Sequence, residues 1–173
     1  GEEYRFRSHF YLDESTQILW VKGSGDPYLV SEELDIIAGN LKQKGLRQIE
    51  AIGLDTTLFE RGLVLPGTGV TNNPYDAVPT AVAANFNTVN IKKTGGHVVS
   101  AEPHTPLTAY AESLAGSIRS GELRVNTGPN PRNAEKYFAE LLAAFLRKHG
   151  VTVGPQIVFG QVPARSAFYT HVN

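Results

Sequence analysis

The 173-residue chain contains no cysteine and no methionine, and a single tryptophan, Trp20. The lack of cysteine removes disulfides, thiolate metal sites and cysteine nucleophiles together, and suits a reducing or an oxidising compartment equally. Without methionine, a chain that starts at Gly1 reads as a processed product or an excised piece. An excess of one charge is lacking too. Lysine and arginine number 16 against 17 acidic residues, a formal net charge of -1, which offers neither a basic surface for nucleic acid nor a polybasic membrane anchor. No apolar run approaches the roughly 18 residues of a membrane span, and no charged-then-apolar leader opens the chain. Neither a nucleic-acid partner nor a transmembrane segment is expected. A chain of this length buries roughly 70% of its unfolded surface, so it holds one ample core or two small ones without a metal or disulfide.

What is present is an α/β pattern. In "YRFRSHFYL", Tyr4, Phe6, Phe10 and Leu12 alternate onto one face, and "QILWV" follows the polar turn "DEST", which predicts a β-hairpin. After the Gly-Pro-rich "GSGDPYLV" comes an amphipathic helix. Ser31 is its expected cap, Leu34, Ile37, Ala38 and Leu41 its stripe, and Gly45 its stop. "RQIEAIGLD" reads as a strand ending at Asp55, and strand, helix, strand in that order predicts a helix packed on a sheet. Gly62 to Pro79 is loop-like. "NFNTVNI" and "HVVSA" read as paired strands, and "SIRSGELRV" as a second hairpin turning at Ser120 and Gly121. Asn130 and Pro131 open a second amphipathic helix with Ala134, Phe138, Leu141, Leu142 and Phe145 inward, and Arg147, Lys148 and His149 at its carboxyl end. "VTVGPQIVFG" reads as a last strand. The expected class is mixed α/β, a sheet with packed amphipathic helices plus a small β-rich subdomain.

Lys93, Thr94 and Gly95 spell the Lys-Thr-Gly triplet found in serine enzymes that act on penicillins. Such a site also needs Ser-x-x-Lys and a Ser-x-Asn or Tyr-x-Asn. No serine here has lysine three residues on, and no serine or tyrosine has asparagine two residues on. Between two strands, "KKTGG" reads instead as a hairpin turn in which Gly95 and Gly96 take positive φ. There is no Gly-x-Ser-x-Gly elbow, and His9, His97, His104, His149 and His171 are scattered without metal-ligand spacing. "GSGDPY" lacks the third glycine of a dinucleotide loop. No metal and no cofactor are expected.

Four segments in order, "LWVKGSGDPYLVSEEL", "LKQKGLRQIEAIGLDTTLFE", "NPYDAVPTAVAANFNTVNI" and "NPRNAEKYFAELLAAFLRKHGVTVG", resemble the D-alanyl-D-alanine carboxypeptidases of the S13 peptidase family, the class C low-molecular-mass penicillin-binding proteins. The resemblance runs from about Tyr4 to Pro163. It implies the region of nested accessory domains inserted between the first and second active-site motifs, which accounts for the missing motifs. On that basis residues 1–80 and 128–163 are expected to form an α/β accessory domain, 81–127 a nested β-rich subdomain, and 164–173 a tail leading toward the catalytic domain. The resemblance implies an extracytoplasmic, non-catalytic role in peptidoglycan metabolism, with the stem peptide and the parent catalytic domain as partners. The alternative is a stand-alone module that binds peptidoglycan or an envelope protein.

The resemblance further implies that the segment matching "LDTTLFE" helps to hold the free amino end of the stem peptide, and it is this that gives the substrate-binding candidates. Asp55 would offer a carboxylate to the ammonium of the stem peptide, Phe59 would flank its aliphatic part, and Glu60 would add a second acceptor. A turn cap for Asp55 and a core position for Phe59 are the alternatives that the residues by themselves favour. Family members tend to carry tryptophan in the following loop, and "RGLVLPGTGVTNN" has none.

Overall fold

A computed structural model describes residues 7–23, 31–55, 88–127, 131–162 and 168–172. The expected hairpin is present: β1 (Arg7–Asp13) pairs antiparallel with β2 (Ile18–Gly23), with Phe10 opposite Val21 and Leu12 opposite Leu19. Asp13 sets the turn. Its Oδ1 accepts the Ser15 backbone N–H at 3.1 Å and the Ser15 hydroxyl at 2.7 Å. Tyr4 and Phe6 lie outside the described residues.

Helix α1 (Ser31–Gln43) buries Leu34, Ile37, Ala38 and Leu41, the stripe its spacing predicts. Glu32 and Glu33 in its first turn and Lys42 in its last favour the helix dipole. Ser31 is the first helical residue, and its hydroxyl meets Thr105 Oγ1 at 2.6 Å. The helix leads into β3 (Gln48–Asp55), which lies parallel to β2, with Leu19 opposite Ile52 and Val21 opposite Leu54. These four side chains are buried on one face of the sheet. Alternation across a strand places them together, and a helical crossover returns the chain to a parallel neighbour.

Helix α3 (Pro131–Lys148) feeds β7 (Thr152–Gly160), which pairs parallel with the other side of β3. Its expected inward residues are all buried, joined by Tyr137, Ala139 and Leu146. Strand β8 (Tyr169–Val172) comes from the stretch read as a tail and pairs antiparallel with β1. The sheet order is therefore β7-β3-β2-β1-β8. Edge strand β7 carries a bulge at Gly154 and Pro155, where the register to β3 shifts.

A second sheet has the order β5-β4-β6, from β4 (Thr88–Thr94), β5 (His97–Ser100) and β6 (Gly121–Asn126). The expected pairing of "TVNI" with "HVVS" holds, and Gly95 and Gly96 have φ of 56° and 79°. Two successive residues at positive φ form the tight turn that right-twisted strands accept. The second hairpin is a correction. Residues 109–117 form helix α2 (Ala109–Ser113) and a 3-10 turn (Leu114–Ser117), and β6 pairs back to β4, with Val89 opposite Val125. Thr108 caps α2 by accepting the Ala111 N–H at 3.1 Å.

Both sheets share one core. Val89 and Ile91 of the second sheet, and Ala111 of α2 and Ala115 of the 3-10 turn, join the cluster formed by Leu19, Ile52, Phe138 and their neighbours. The fold is mixed α/β, with two sheets and packed helices. No helix among the described residues is long and apolar enough to cross a membrane.

Candidate functional site

Strands β2, β3 and β7 run parallel, so their carboxyl ends, Gly23, Asp55 and Gly160, lie along one edge of the sheet. Loops leaving that edge are the usual place for ligands in α/β sheets. Asp55 sits at its centre, fully buried, and its Oδ2 accepts the Val162 backbone N–H at 2.9 Å. Burial of a carboxylate needs such donors. The bond ties the chain leaving β7 to the end of β3. Lys22 is the register partner of Asp55 on β2. At the start of α3 the Arg132 guanidinium stands 3.5 Å over the Phe159 ring, a cation-π contact on the neighbouring strand. Of the three residues predicted to bind substrate, Asp55 is placed here, while Phe59 and Glu60 lie outside the described residues.

Trp20 lies on the opposite face of the sheet from Leu19 and Val21, across Gly53 and Gly160. A β-carbon added at Gly53 would stand 2.6 Å from the indole Cδ2, and one at Gly160 would stand 3.2 Å from Cη2. The indole thus lies over two positions without side chains, Gly53 on the adjacent strand β3 and Gly160 on β7 beyond it, and at Gly53 a β-carbon would displace it.

The Lys-Thr-Gly triplet is occupied structurally. Lys93 Nζ donates to the carbonyls of Ala115 at 3.1 Å and Ile118 at 2.9 Å, closing the end of the 3-10 turn. A cation on exposed terminal carbonyls is the ordinary way to satisfy them. The sequence identified the turn but not these acceptors: Ile118 was read as part of a hairpin strand that begins at Ser117, and Ala115 lies just before it.

A second polar cluster joins α1 to the smaller sheet. Asn90 Nδ2 donates to Glu102 Oε1 at 2.5 Å, Thr105 donates to Glu102 Oε2 at 3.1 Å, and Thr105 meets Ser31. At the other end of the helices, Asp35 accepts from Lys148 Nζ at 2.8 Å and lies 2.6 Å from His149 Nε2. The Lys148 hydrogen bond is the main reason that the Asp35 carboxyl is held below its ordinary 3.8. Partial burial opposes it, and His149 adds to it. Tyr110 is shifted up by burial and by the Glu140 carboxylate. Among the described residues, no three His, Cys, Asp or Glu side chains gather as a metal site.

Comparison with known proteins gives the family context. The model of the D-Ala-D-Ala carboxypeptidase 3 (S13) family matches residues 1–112, ending inside α2. No curated protein matches the sequence. A crystal structure of penicillin binding protein 4 from Haemophilus influenzae superposes with a TM-score of 0.66 at 18% identity, over 99% of this chain and 47% of that one. The same protein complexed with a novel β-lactam gives 0.59 at 16% identity, over 99% and 45%. The chain thus spans just under half the length of these solved structures. At such identities the likeness speaks for the fold, and it extends through α3 and β7, beyond the residues that the family model matches.

Proposed function

Because the chain belongs to the D-Ala-D-Ala carboxypeptidase 3 (S13) family, we propose that it forms the non-catalytic accessory region of a serine-type carboxypeptidase of peptidoglycan metabolism, acting outside the cytoplasm beside a separate catalytic domain. The observation that carries this reading is the pairing of β1 with β8, in which Arg7 and Val172 are register partners. Neighbouring strands stand about 4.8 Å apart, so the chain enters and leaves the fold side by side. A host domain accepts an insertion on those terms with little disturbance. The absence of Ser-x-x-Lys and the structural use of Lys93 agree with it. The test is labelling with a fluorescent penicillin. The isolated 173-residue chain is expected to stay unlabelled, and acylation at any of its serines overturns the reading.

Within this role the carboxyl edge of the parallel strands receives the free amino end of the stem peptide. Asp55 and Glu60 supply carboxylates for the ammonium, and Phe59 packs on the aliphatic part. Support comes from the position of Asp55 at the end of β3 and from the chemistry of the three residue types. Asp55 also holds the Val162 N–H, which Asp55→Asn would keep while removing the charge. Calorimetric binding of a stem peptide should weaken roughly tenfold in Asp55→Asn, the scale of one hydrogen bond to a charged group. Equal affinity would remove Asp55 from the site.

A further inference from the structure

A cavity of about 260 Å³ lies between α3, the edge strand β7 and the residues before α2. One side is built by α3. Glu140 and Arg147 line it, with Ala143 and Ala144 between them, and spacings of three, four and seven residues put all four on one helix face. Leu107 and Ile157 add apolar wall. An engineered apolar cavity of roughly 150 Å³ holds benzene, while pockets for drug-sized ligands begin near 300 Å³. The space here therefore suits a molecule between those sizes.

Two of its lining residues, a helical repeat apart, carry opposite charge with bonding capacity left over. Glu140 Oε1 accepts the Tyr110 N–H at 2.8 Å, and its other oxygen makes no hydrogen bond to a described residue. Arg147 uses Nη2 on the Val153 carbonyl at 2.9 Å, one of the five N–H donors of a guanidinium. Seven residues of helix set the Cα atoms of the two about 10 Å apart, and an extended chain of about three residues spans a like distance at 3.3–3.6 Å each. Two opposite charges with apolar residues between them match a small zwitterion of that length.

We propose that this cavity binds a short free peptide of small apolar residues, its ammonium on Glu140 and its terminal carboxylate on Arg147. The site is separate from the carboxyl edge around Asp55 and does not rest on the function proposed above. Trialanine is the probe, titrated into the ¹⁵N-labelled 173-residue chain and followed by amide chemical shifts. Saturable shifts are expected around residues 140–147 and 154–157. N-acetylation or C-amidation of the probe should each weaken binding about tenfold or more, as the loss of a charge-assisted bond requires. In Glu140→Gln, which retains an acceptor for Tyr110, acetylation should no longer matter. In Arg147→Met, amidation should no longer matter. Ala144→Leu narrows the cavity and should abolish the shifts; if that variant does not fold, the capped probes and the two charge variants decide. Absence of saturation at millimolar trialanine, indifference to both caps, or shifts centred on Asp55 would each overturn the proposal.

Discussion

Gly53 carries more of the fold than its size suggests. A β-carbon there would stand 2.6 Å from Cδ2 and Cε3 of Trp20 and 2.9 Å from Ile18 Cγ2, so Gly53→Ala must displace the indole. Overpacking of this kind costs about 1–3 kcal/mol. As Trp20 is the only tryptophan, the displacement is read directly. Urea unfolding should lose stability in that range and the native emission should shift, whereas unchanged emission and midpoint would show that the indole has room to move. At the same scale Asp55 was legible by position alone. Its place at a strand end followed from the apolar run before it, while its bond to Val162 joins residues 107 apart in sequence, which no local pattern encodes. Glu140 and Arg147 could have been paired from their spacing on α3, but the wall opposite them comes from β7 and residues 107–109.

The long elements were legible because each is amphipathic with a clear boundary. α1 and α3 have full stripes, β3 ends at Asp55, and two glycines mark the β4–β5 turn. Helix α2 was missed because five residues are too few to show a period, although Thr108 is a cap residue in plain view. Strand β6 was given the wrong partner because Ser120 and Gly121 look like a hairpin turn, while its true neighbour β4 ends far upstream. At this scale the α1–α3 contact is secured by Asp35 with Lys148 and His149. The folded-state pKa of Asp35 is depressed, so its contribution is present above the ordinary carboxyl range and is lost as pH falls through the lower folded value. The stability gap between the native chain and Asp35→Asn should therefore be full near neutrality and close below pH 3.8. Its size will be modest, as the Asp35 side chain is 33% exposed. A gap that widens in acid would contradict this account.

Across the whole molecule, the two sheets are stitched by shared side chains rather than merely adjoining. Val89, Ile91, Ala111 and Ala115 sit in the same cluster as Leu19 and Phe138, and the Ser31–Thr105–Glu102–Asn90 chain adds a polar link. A common core predicts one cooperative transition. Trp20 fluorescence reports the larger sheet and amide exchange of β4 and β6 the smaller, and their unfolding midpoints should coincide. Midpoints apart by more than experimental error would show two separately stable units. The family, too, was legible at this scale, in segments spread along the chain, three of which lie within the residues 1–112 that the family model matches, whereas the one short motif that named a related enzyme is a hairpin turn with its lysine on the 3-10 carbonyls.

Strand β3 lies between β2 and β7, yet β7 begins at Thr152, after the whole second sheet. On a ribosome, β3 therefore emerges with one flank already served by the first hairpin and the other bare. That flank is an open template for mispairing until β7 is made. Meanwhile the smaller sheet, local in sequence, can form without waiting. Synthesis order and assembly order thus part company at β3, and the nascent chain is most in need of a chaperone in the interval between Asp55 and Thr152.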